Sequence, residues 1–212
     1  SECRPFPPAR DRNSCNTLFE HELNRRRRDY LVGQAQELSK TPWPQLLASD
    51  YMRFQRDGNR HSWERPFFDR RRRLAIFTLA ECMEYRGRFL DDIINGLWLI
   101  SEEATWCSTA HARSCLPSYI YESENFLLPT QDAEVLALFS CETGLAVAEA
   151  CYLMGHELDA ITPVVRQRLS REIERRLIVP FESAPDEQIW WLSGHNNWTP
   201  WCCSSLLGAA MY

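Results

Sequence analysis

The chain has 212 residues, of which 44% are hydrophobic and 25% are charged, a composition that excludes a disordered or fibrous protein. Arginine supplies all but one of the 24 cations, yet the net charge is −5, so no global positive field would attract a nucleic acid. The sequence shows neither an apolar run of membrane-spanning length nor a signal peptide, which predicts a protein without a membrane partner.

Hydrophobic periodicity predicts helices almost throughout the chain. The expected helices span about 16–38, 45–56, 66–85, 90–98, 131–154 and 163–179. Prolines at positions 42 and 44 separate the first, Arg-rich helix from the rest. We therefore predict an N-terminal segment with one helix at residues 1–44 and a single helical domain at residues 45–212.

The last two predicted helices indicate the architecture. Residues 131–154 are apolar or small almost all round, which is typical of a helix surrounded by protein. The next helix is amphipathic; Thr162 is its expected cap and Pro180 its expected end. A faint repeat of the arginine quartets Arg25–Arg28 and Arg70–Arg73, which are themselves expected to form surface ion pairs, suggests paired helices. Together these features predict an all-α fold of antiparallel helix pairs that form an incomplete (α/α) toroid.

A tryptophan-rich segment near the end of the chain carries the clearest sign of function. After Trp191 it places His195, Asn196, Asn197 and Trp198 in one short run between predicted helices. Indole faces stack on pyranose rings, while asparagine amides donate and accept hydrogen bonds at fixed positions. The segment therefore predicts a saccharide-binding loop. The alternative is a loop that is closed by tryptophans packing inward.

A second cluster, Trp106 and His111, lies at another predicted helix end. His111 could act as an acid, a base or a hydrogen-bond donor near neutral pH, or it could simply bond a carbonyl at a helix terminus. Cys107, His111 and Cys115 share a spacing of four, but a zinc site would need a fourth ligand and the chain has no CxxC pair. We predict neither a metal nor another cofactor.

Two further groups of residues are candidates for binding. His61, Trp63 and Arg65 place an imidazole, an indole and a guanidinium close together, which would suit an anionic sugar. Most carboxylates fall on charged helix faces, where ion pairing is the default. Glu142 and Glu149 are embedded in the apolar helix instead, and a buried carboxylate must be paired or functional.

The nine cysteines form no tight disulfide pattern, which favours free thiols. We therefore predict a cytoplasmic location. A periplasmic or secreted location remains open if a signal segment was removed from the chain.

On these residues the chain resembles the N-terminal helical domain of heparinase II/III-like proteins, relatives of the alginate and heparin lyases. The matching segments cover roughly residues 45–212 in order: Arg72–Leu74, Ala80–Cys82, Gly87–Leu90, Glu103–Cys107, Ala110–His111, the helix that contains Glu142, and Asn196–Trp201. The resemblance implies an incomplete toroid, followed in full-length relatives by more helices and a large β-sandwich. The chain is accordingly expected to be truncated, and its partner to be a missing C-terminal domain or a second copy.

The resemblance also implies β-elimination on polysaccharides that contain uronic acid, such as glycosaminoglycans or alginate. Asn197, or else Asn196, would neutralise the uronate carboxylate, and His195 and His111 would assist with protons or hydrogen bonds. Trp198, Trp191, Trp106, Trp63, His61, Arg65 and Glu142 would bind the substrate. No enzyme cofactor is implied, and the partner would be an acidic polysaccharide or oligosaccharide.

The chain departs from the family pattern in one position, because Trp198 follows the asparagine where the lyases have a histidine. The tyrosine expected downstream also lies beyond Tyr212, so the chain alone is expected to be inactive. Two alternatives stay open. One is a glycoside hydrolase on an (α/α) toroid that uses carboxylates such as Glu142, and the other is a non-catalytic, carbohydrate-binding toroid.

Overall fold

A computed structural model describes residues 6–116, 127–130 and 134–212, and within these ranges the chain is helical and has no strand. The predicted all-α class is thereby confirmed. The helices are α1 (Arg12–Glu20), α2 (Glu22–Leu38), α3 (Ala48–Asp57), α4 (His61–Glu84), α5 (Leu90–Ser101), α6 (Ala112–Cys115), α7 (Leu138–Leu153), α8 (Gly155–Ile161), α9 (Val164–Ile173), α10 (Val179–Ser183) and α11 (Trp198–Met211). A π-helical turn, Glu174–Ile178, joins α9 to α10, and a 3₁₀ turn, Trp190–Leu192, precedes α11. In the described part of the chain, every helix is too short or too polar to cross a bilayer.

The N-terminal region contains two helices where one was expected. His21 has an extended backbone (φ −58°, ψ 136°), and its Nδ1 accepts a hydrogen bond from the backbone N–H of Leu23 at 3.3 Å. The imidazole therefore caps α2 and ends α1 at the same point. Both helices pack on α4, and Ala9 and Ala35 are buried in the same core as the rest of the chain.

The helix α7 lies at the centre of the core, where it packs against α4, α9 and α11. Its apolar surface on all sides requires this position, as the sequence predicted. Gly144 allows α7 to pack closely against Leu177 of the π-helical turn, because a Cβ atom there would lie 2.0 Å from Leu177 Cδ1. The helix begins at Leu138, since residues 134–137 are not helical; the expected start at residue 131 lies outside the described residues.

The amphipathic helix does not end at Pro180 as predicted. Val179 donates its backbone N–H to the carbonyl of Glu174, five residues back, in the π-helical turn. Pro180 then falls in the first turn of α10, where a missing N–H costs no helical hydrogen bond. The helical path therefore continues to Ser183. At the other end the cap position is Pro163 and not Thr162 as predicted, although Thr162 Oγ1 accepts the N–H of Val164 at 3.3 Å from one residue before the cap.

A buried carboxylate, Glu103, joins three parts of the molecule just after α5. Arg70 Nη1 lies 3.2 Å from its Oε1, and Arg71 Nη2 lies 2.6 Å from its Oε2. Arg176, in the π-helical turn, donates to the Glu103 carbonyl oxygen at 2.6 Å. Two members of the Arg70–Arg73 quartet thus point into the protein and do not form the surface ion pairs that were expected.

The substitution Glu103→Gln should destabilise the fold strongly, because it leaves the charges of Arg70 and Arg71 buried without a compensating anion. We expect a loss of about 3–5 kcal/mol in the free energy of unfolding, measured by urea denaturation. Glu37→Gln is the control, since its ion pair with Lys40 (2.6 Å) is exposed and should contribute less than about 1 kcal/mol. Equal losses in the two variants would contradict this account.

Candidate functional site

The two predicted functional segments meet in the structure. The His111 ring stacks on Phe139 with ring centroids 4.9 Å apart and an interplanar angle of 10°. Trp198 lies against the same imidazole at 4.7 Å, and Trp190 lies 5.2 Å from Trp198. We refer to these four residues, His111, Phe139, Trp190 and Trp198, as the aromatic slot. It brings together His111 and Trp198, both predicted site residues that are far apart in the sequence.

Helix ends position the members of the aromatic slot. His111 immediately precedes α6, and its backbone N–H donates to the carbonyl of Ser108 at 2.9 Å. Phe139 lies in the first turn of α7, and Trp198 is the first residue of α11. Side chains at helix ends are held by rigid elements and still reach the surface, which is a common arrangement for binding sites.

The tryptophan-rich segment is a tight turn followed by α11, and not the open loop that was predicted between helices. Asn196 Oδ1 accepts the backbone N–H of Trp198 at 2.8 Å. Gly194 allows the amide to sit there, because a Cβ at this position would lie 2.8 Å from Asn196 Nδ2. The Thr199 hydroxyl lies 2.6 Å from the Trp191 carbonyl oxygen and 2.7 Å from that of Gly194, and it donates to one of them at a time.

The two adjacent asparagines therefore differ in the hydrogen bonds that their side chains already make. Asn196 accepts a backbone hydrogen bond that begins α11, so its oxygen already has a structural role. Asn197 is exposed, and its side-chain amide makes no hydrogen bond to any residue that the structure describes. His195 is exposed on the other side of the pair. Of the two candidates, Asn197 is the one whose whole side-chain amide is uncommitted among the described residues, whereas Asn196 has only its N–H groups free.

Three of the predicted stacking tryptophans lie in the interior. Trp63, Trp106 and Trp191 are 4%, 1% and 0% exposed. The indole N–H of Trp106 donates to Ile100 and that of Trp191 to Leu136, each to a carbonyl oxygen at 2.9 Å. The Trp63 indole N–H is buried without a partner among the described residues, and all three buried indoles offer no face to a sugar, contrary to the prediction.

The remaining predicted residues lie at the surface. His61 and Arg65 are exposed at the start of α4, where neither side chain bonds to another described residue. Glu142 is also exposed, whereas its place in an apolar helix had predicted burial. Partial desolvation nevertheless raises the pKa of Glu142, although the Trp201 indole N–H and the charge of Arg71 act in the opposite direction.

Burial also raises the pKa of Glu149, which lies two turns further along α7, although the hydroxyl of Tyr212 donates to its Oε1 at 3.4 Å and acts in the opposite direction. This hydrogen bond gives the carboxylate a partner, as a half-buried acid requires. Within the described ranges no three histidine, cysteine or acidic side chains converge in a way that would hold a metal ion.

Glu64 is a charged neighbour of the aromatic slot that the sequence did not single out. Its carboxylate accepts hydrogen bonds from Arg60 Nε and Nη2 at 2.7 and 2.6 Å, and from the hydroxyl of Ser108. Burial alone would raise the pKa of Glu64, but these hydrogen bonds outweigh it and the pKa is lowered. The spacing of Arg60 and Glu64, four residues apart on a helix, was the signal that could have found this pair.

The surroundings of His111 lower its pKa and so favour the neutral imidazole. Burial lowers its pKa, the charge of Arg60 lowers it further, and Glu64 opposes both. Its Nδ1 atom is buried and has no hydrogen-bond partner among the described residues. A second proton would have to be placed on a nitrogen without an acceptor, which is a further cost to the charged form.

The two asparagines should respond differently to substitution. Asn196→Ala removes the acceptor for the Trp198 N–H and should reduce the free energy of unfolding by about 1 kcal/mol. Asn197→Ala removes an exposed amide and should change it by less than about 0.5 kcal/mol. Thermal or urea unfolding of both variants checks this difference; a costly Asn197→Ala would mean that the amide has a structural partner.

Stability should depend on pH through His111. The pKa of His111 in the folded protein lies below the ordinary value of about 6.5. As the pH falls below that value, the unfolded chain therefore binds more protons than the folded chain. The contribution of His111 to the free energy of unfolding is therefore complete above about pH 7 and is lost as the pH falls through the pKa of the folded state. His111→Phe keeps a ring against Phe139 but cannot titrate.

The difference in unfolding free energy between wild type and His111→Phe should accordingly favour the wild type most at about pH 8 and decrease towards about pH 5. Urea denaturation at several pH values measures it. A difference that stays constant, or that grows in acid, would contradict the assignment of His111 as a neutral buried imidazole.

Comparison of the chain with protein-family models and with curated proteins finds no match. The resemblance to heparinase II/III-like proteins thus depends on the segments quoted above, and the function must be argued from the chain's own residues.

Proposed function

We propose that this chain is the N-terminal helical domain of a polysaccharide lyase that acts by β-elimination on polysaccharides containing uronic acid. Its helices would form an incomplete (α/α) toroid. The observation that carries the proposal is the exposed amide of Asn197, which immediately precedes Trp198 of the aromatic slot.

The chemistry of β-elimination calls for such an amide. The proton on C5 of a uronate is weakly acidic because the neighbouring carboxylate is already negative. Hydrogen bonds to that carboxylate stabilise the extra charge that develops when C5 loses its proton. The electron pair then forms the C4–C5 double bond as the C4–O bond breaks, and the departing oxygen takes up a proton. Asn197 is suited to the first task because its amide N–H groups are not committed elsewhere in the described structure.

The histidines supply groups for proton transfer or hydrogen bonding. His111 is neutral near physiological pH, so one ring nitrogen can accept a proton or a hydrogen bond and the other can donate. His195 lies two residues before Asn197 and is exposed. Trp198 is half buried and supplies an indole at the same place, while His61 and Arg65 provide exposed groups at the start of α4 that suit an acidic sugar.

A complete lyase site needs more than this chain provides. In the resembled family a tyrosine protonates the leaving oxygen, and the corresponding position lies beyond residue 212. We therefore propose that a C-terminal domain or a second copy of the chain completes the site, and that the isolated chain binds the saccharide without cleaving it. An acidic polysaccharide or oligosaccharide is the proposed ligand.

We also propose a cytoplasmic location. The eight cysteines in the described residues are all free thiols, which suits a reducing compartment. A periplasmic or secreted protein remains the alternative if a signal segment was removed.

Saccharide binding is the direct test. Unsulfated tetrasaccharides of mannuronate, guluronate and alternating glucuronate–N-acetylglucosamine would be titrated into the chain and followed by calorimetry or NMR. We expect saturable binding of at least one, and a loss of about tenfold or more in Asn197→Ala, which is about 1.4 kcal/mol. Asn95→Ala is the matched control, since Asn95 is an exposed asparagine on α5 away from the tryptophan-rich segment.

Two results would overturn the proposal. One is the absence of saturable binding across the panel, and the other is equal binding by Asn197→Ala and the wild type. If a further domain or a second copy completes the site as proposed, the completed protein should produce ultraviolet absorbance from the new C4–C5 double bond, and the isolated chain should not.

A glycoside hydrolase is the second candidate, favoured by one observation. The raised pKa of Glu142, an exposed carboxyl, is a property of general acids in such enzymes. A hydrolase would release reducing ends without ultraviolet absorbance and would lose activity in Glu142→Gln but not in Asn197→Ala. Saccharide binding without turnover in the complete protein would instead indicate a non-catalytic, carbohydrate-binding toroid.

A further inference from the structure

Glu64 is a buried carboxylate for which the proposed reaction has no use. It lies in the first turn of α4, between the exposed residues His61 and Arg65, and its side chain is only 8% exposed. A buried carboxylate is costly unless it is fully hydrogen-bonded. The hydrogen-bond partners of Glu64 therefore indicate its role.

Those partners connect Glu64 to the aromatic slot. Arg60 donates two hydrogen bonds to its carboxylate, and the hydroxyl of Ser108 donates a third. Ser108 is completely buried, and its carbonyl oxygen accepts the backbone N–H of His111 at 2.9 Å. The Ser108 hydroxyl also lies 3.4 Å from the N–H of Ala110. The carboxylate of Glu64 thus holds Ser108, and Ser108 in turn contacts the backbone N–H groups of Ala110 and His111.

The imidazole of His111 depends on this turn for its position. Phe139 covers one face in a stacked arrangement and Trp198 lies against the ring at an angle of 51°. Neither neighbour forms a hydrogen bond with the ring in the described structure, and Nδ1 has no partner. Aromatic contacts limit the tilt of the ring, whereas the backbone of the turn determines how far it reaches into the slot.

We propose that Glu64 is the positioning residue of this site: through Ser108 it fixes the turn that holds His111 against Phe139 and Trp198, and it places one negative charge beside the imidazole. Glu64 does not contact the substrate in this scheme. The inference deepens the proposed function and rests on it, since it explains how the chain would present His111 to a uronate.

The charged side chains that act on the His111 ring belong to one element of the fold. Glu64 and Arg60, both at the start of α4, act on His111 in opposite directions, because the anion favours imidazolium and the cation disfavours it. From α7 and α11 the ring meets the aromatic side chains Phe139 and Trp198. The acidic or basic residues nearest to these in sequence are Glu142 and His195, and both are exposed; the thiol of Cys141, which is closer to Phe139, is buried.

The test is an NMR titration of the His111 Cε1–H signal in the chain without saccharide, assigned by its disappearance in His111→Phe. Glu64→Gln should lower the titration midpoint by about 0.5 pH unit or more, since the favourable anion is removed while Arg60 remains. Glu84→Gln is the matched control. Glu84 forms the same kind of i,i+4 ion pair, with Arg88 at 2.5 Å, at the far end of the same helix, and this variant should leave the midpoint unchanged.

Two more variants keep the inference testable if Glu64→Gln fails to fold. Arg60→Gln, at a half-exposed position, should move the midpoint upwards, because the cation is removed and the anion remains. Ser108→Ala retains both charges but cuts the connection to the turn, so it should shift the ring signals of His111 and Trp198. Unchanged midpoints in the Glu64 and Arg60 variants, or unchanged ring signals in Ser108→Ala, would overturn the role of Glu64.

The result of the NMR titration can be distinguished from the result of the saccharide-binding test. The titration contains no ligand, so its failure would remove Glu64 as a positioning residue and leave the binding role of Asn197 standing. A failure of saccharide binding with the expected midpoint shifts would leave the Glu64–Ser108–His111 connection in place and overturn the lyase proposal.

Discussion

The buried ion pairs of Glu103 with Arg70 and Arg71 constrain the molecule more than any other contact. The segment between α5 and α6 has little secondary structure, so its path depends on side chains. Two arginines of α4 hold its carboxylate, and Arg176 holds its carbonyl oxygen from the other side. The Glu103 contacts thus anchor the beginning of the segment, while the hydrogen bond of Ser108 with Glu64 anchors the turn before His111.

The sequence predicted which stretches are helical more reliably than where helices begin and end. Apolar periodicity reports the burial of a face and predicts α4 and α5, whereas α7 follows from a composition that is apolar or small almost all round. Boundaries depend on single hydrogen bonds that periodicity does not contain. His21 divides a helix because its own ring caps the next one, and Pro180 fails to stop a helix because a π-helical turn precedes it.

The candidate site was predicted in part, for similar reasons. Residue type identified His111 and Trp198, and the fold places them 4.7 Å apart. The same reasoning chose Trp191, whose indole is buried, because an indole that binds sugar and an indole that fills a core are alike in sequence. Asn196 and Asn197 could not be separated either, since the distinction lies in which amide the turn uses for its own N–H groups.

The π-helical turn at Glu174–Ile178 has a consequence for variation in chain length. It accommodates one more residue than an α-helix would use over the same distance. A natural relative lacking that single residue would span the same distance with a regular α-helical turn and keep the residues downstream in place. Phe181, which stacks on Trp191 with ring centroids 6.4 Å apart, would then retain this contact. Loss of one residue should therefore be tolerated better within this turn than within α9 or α10, which flank it.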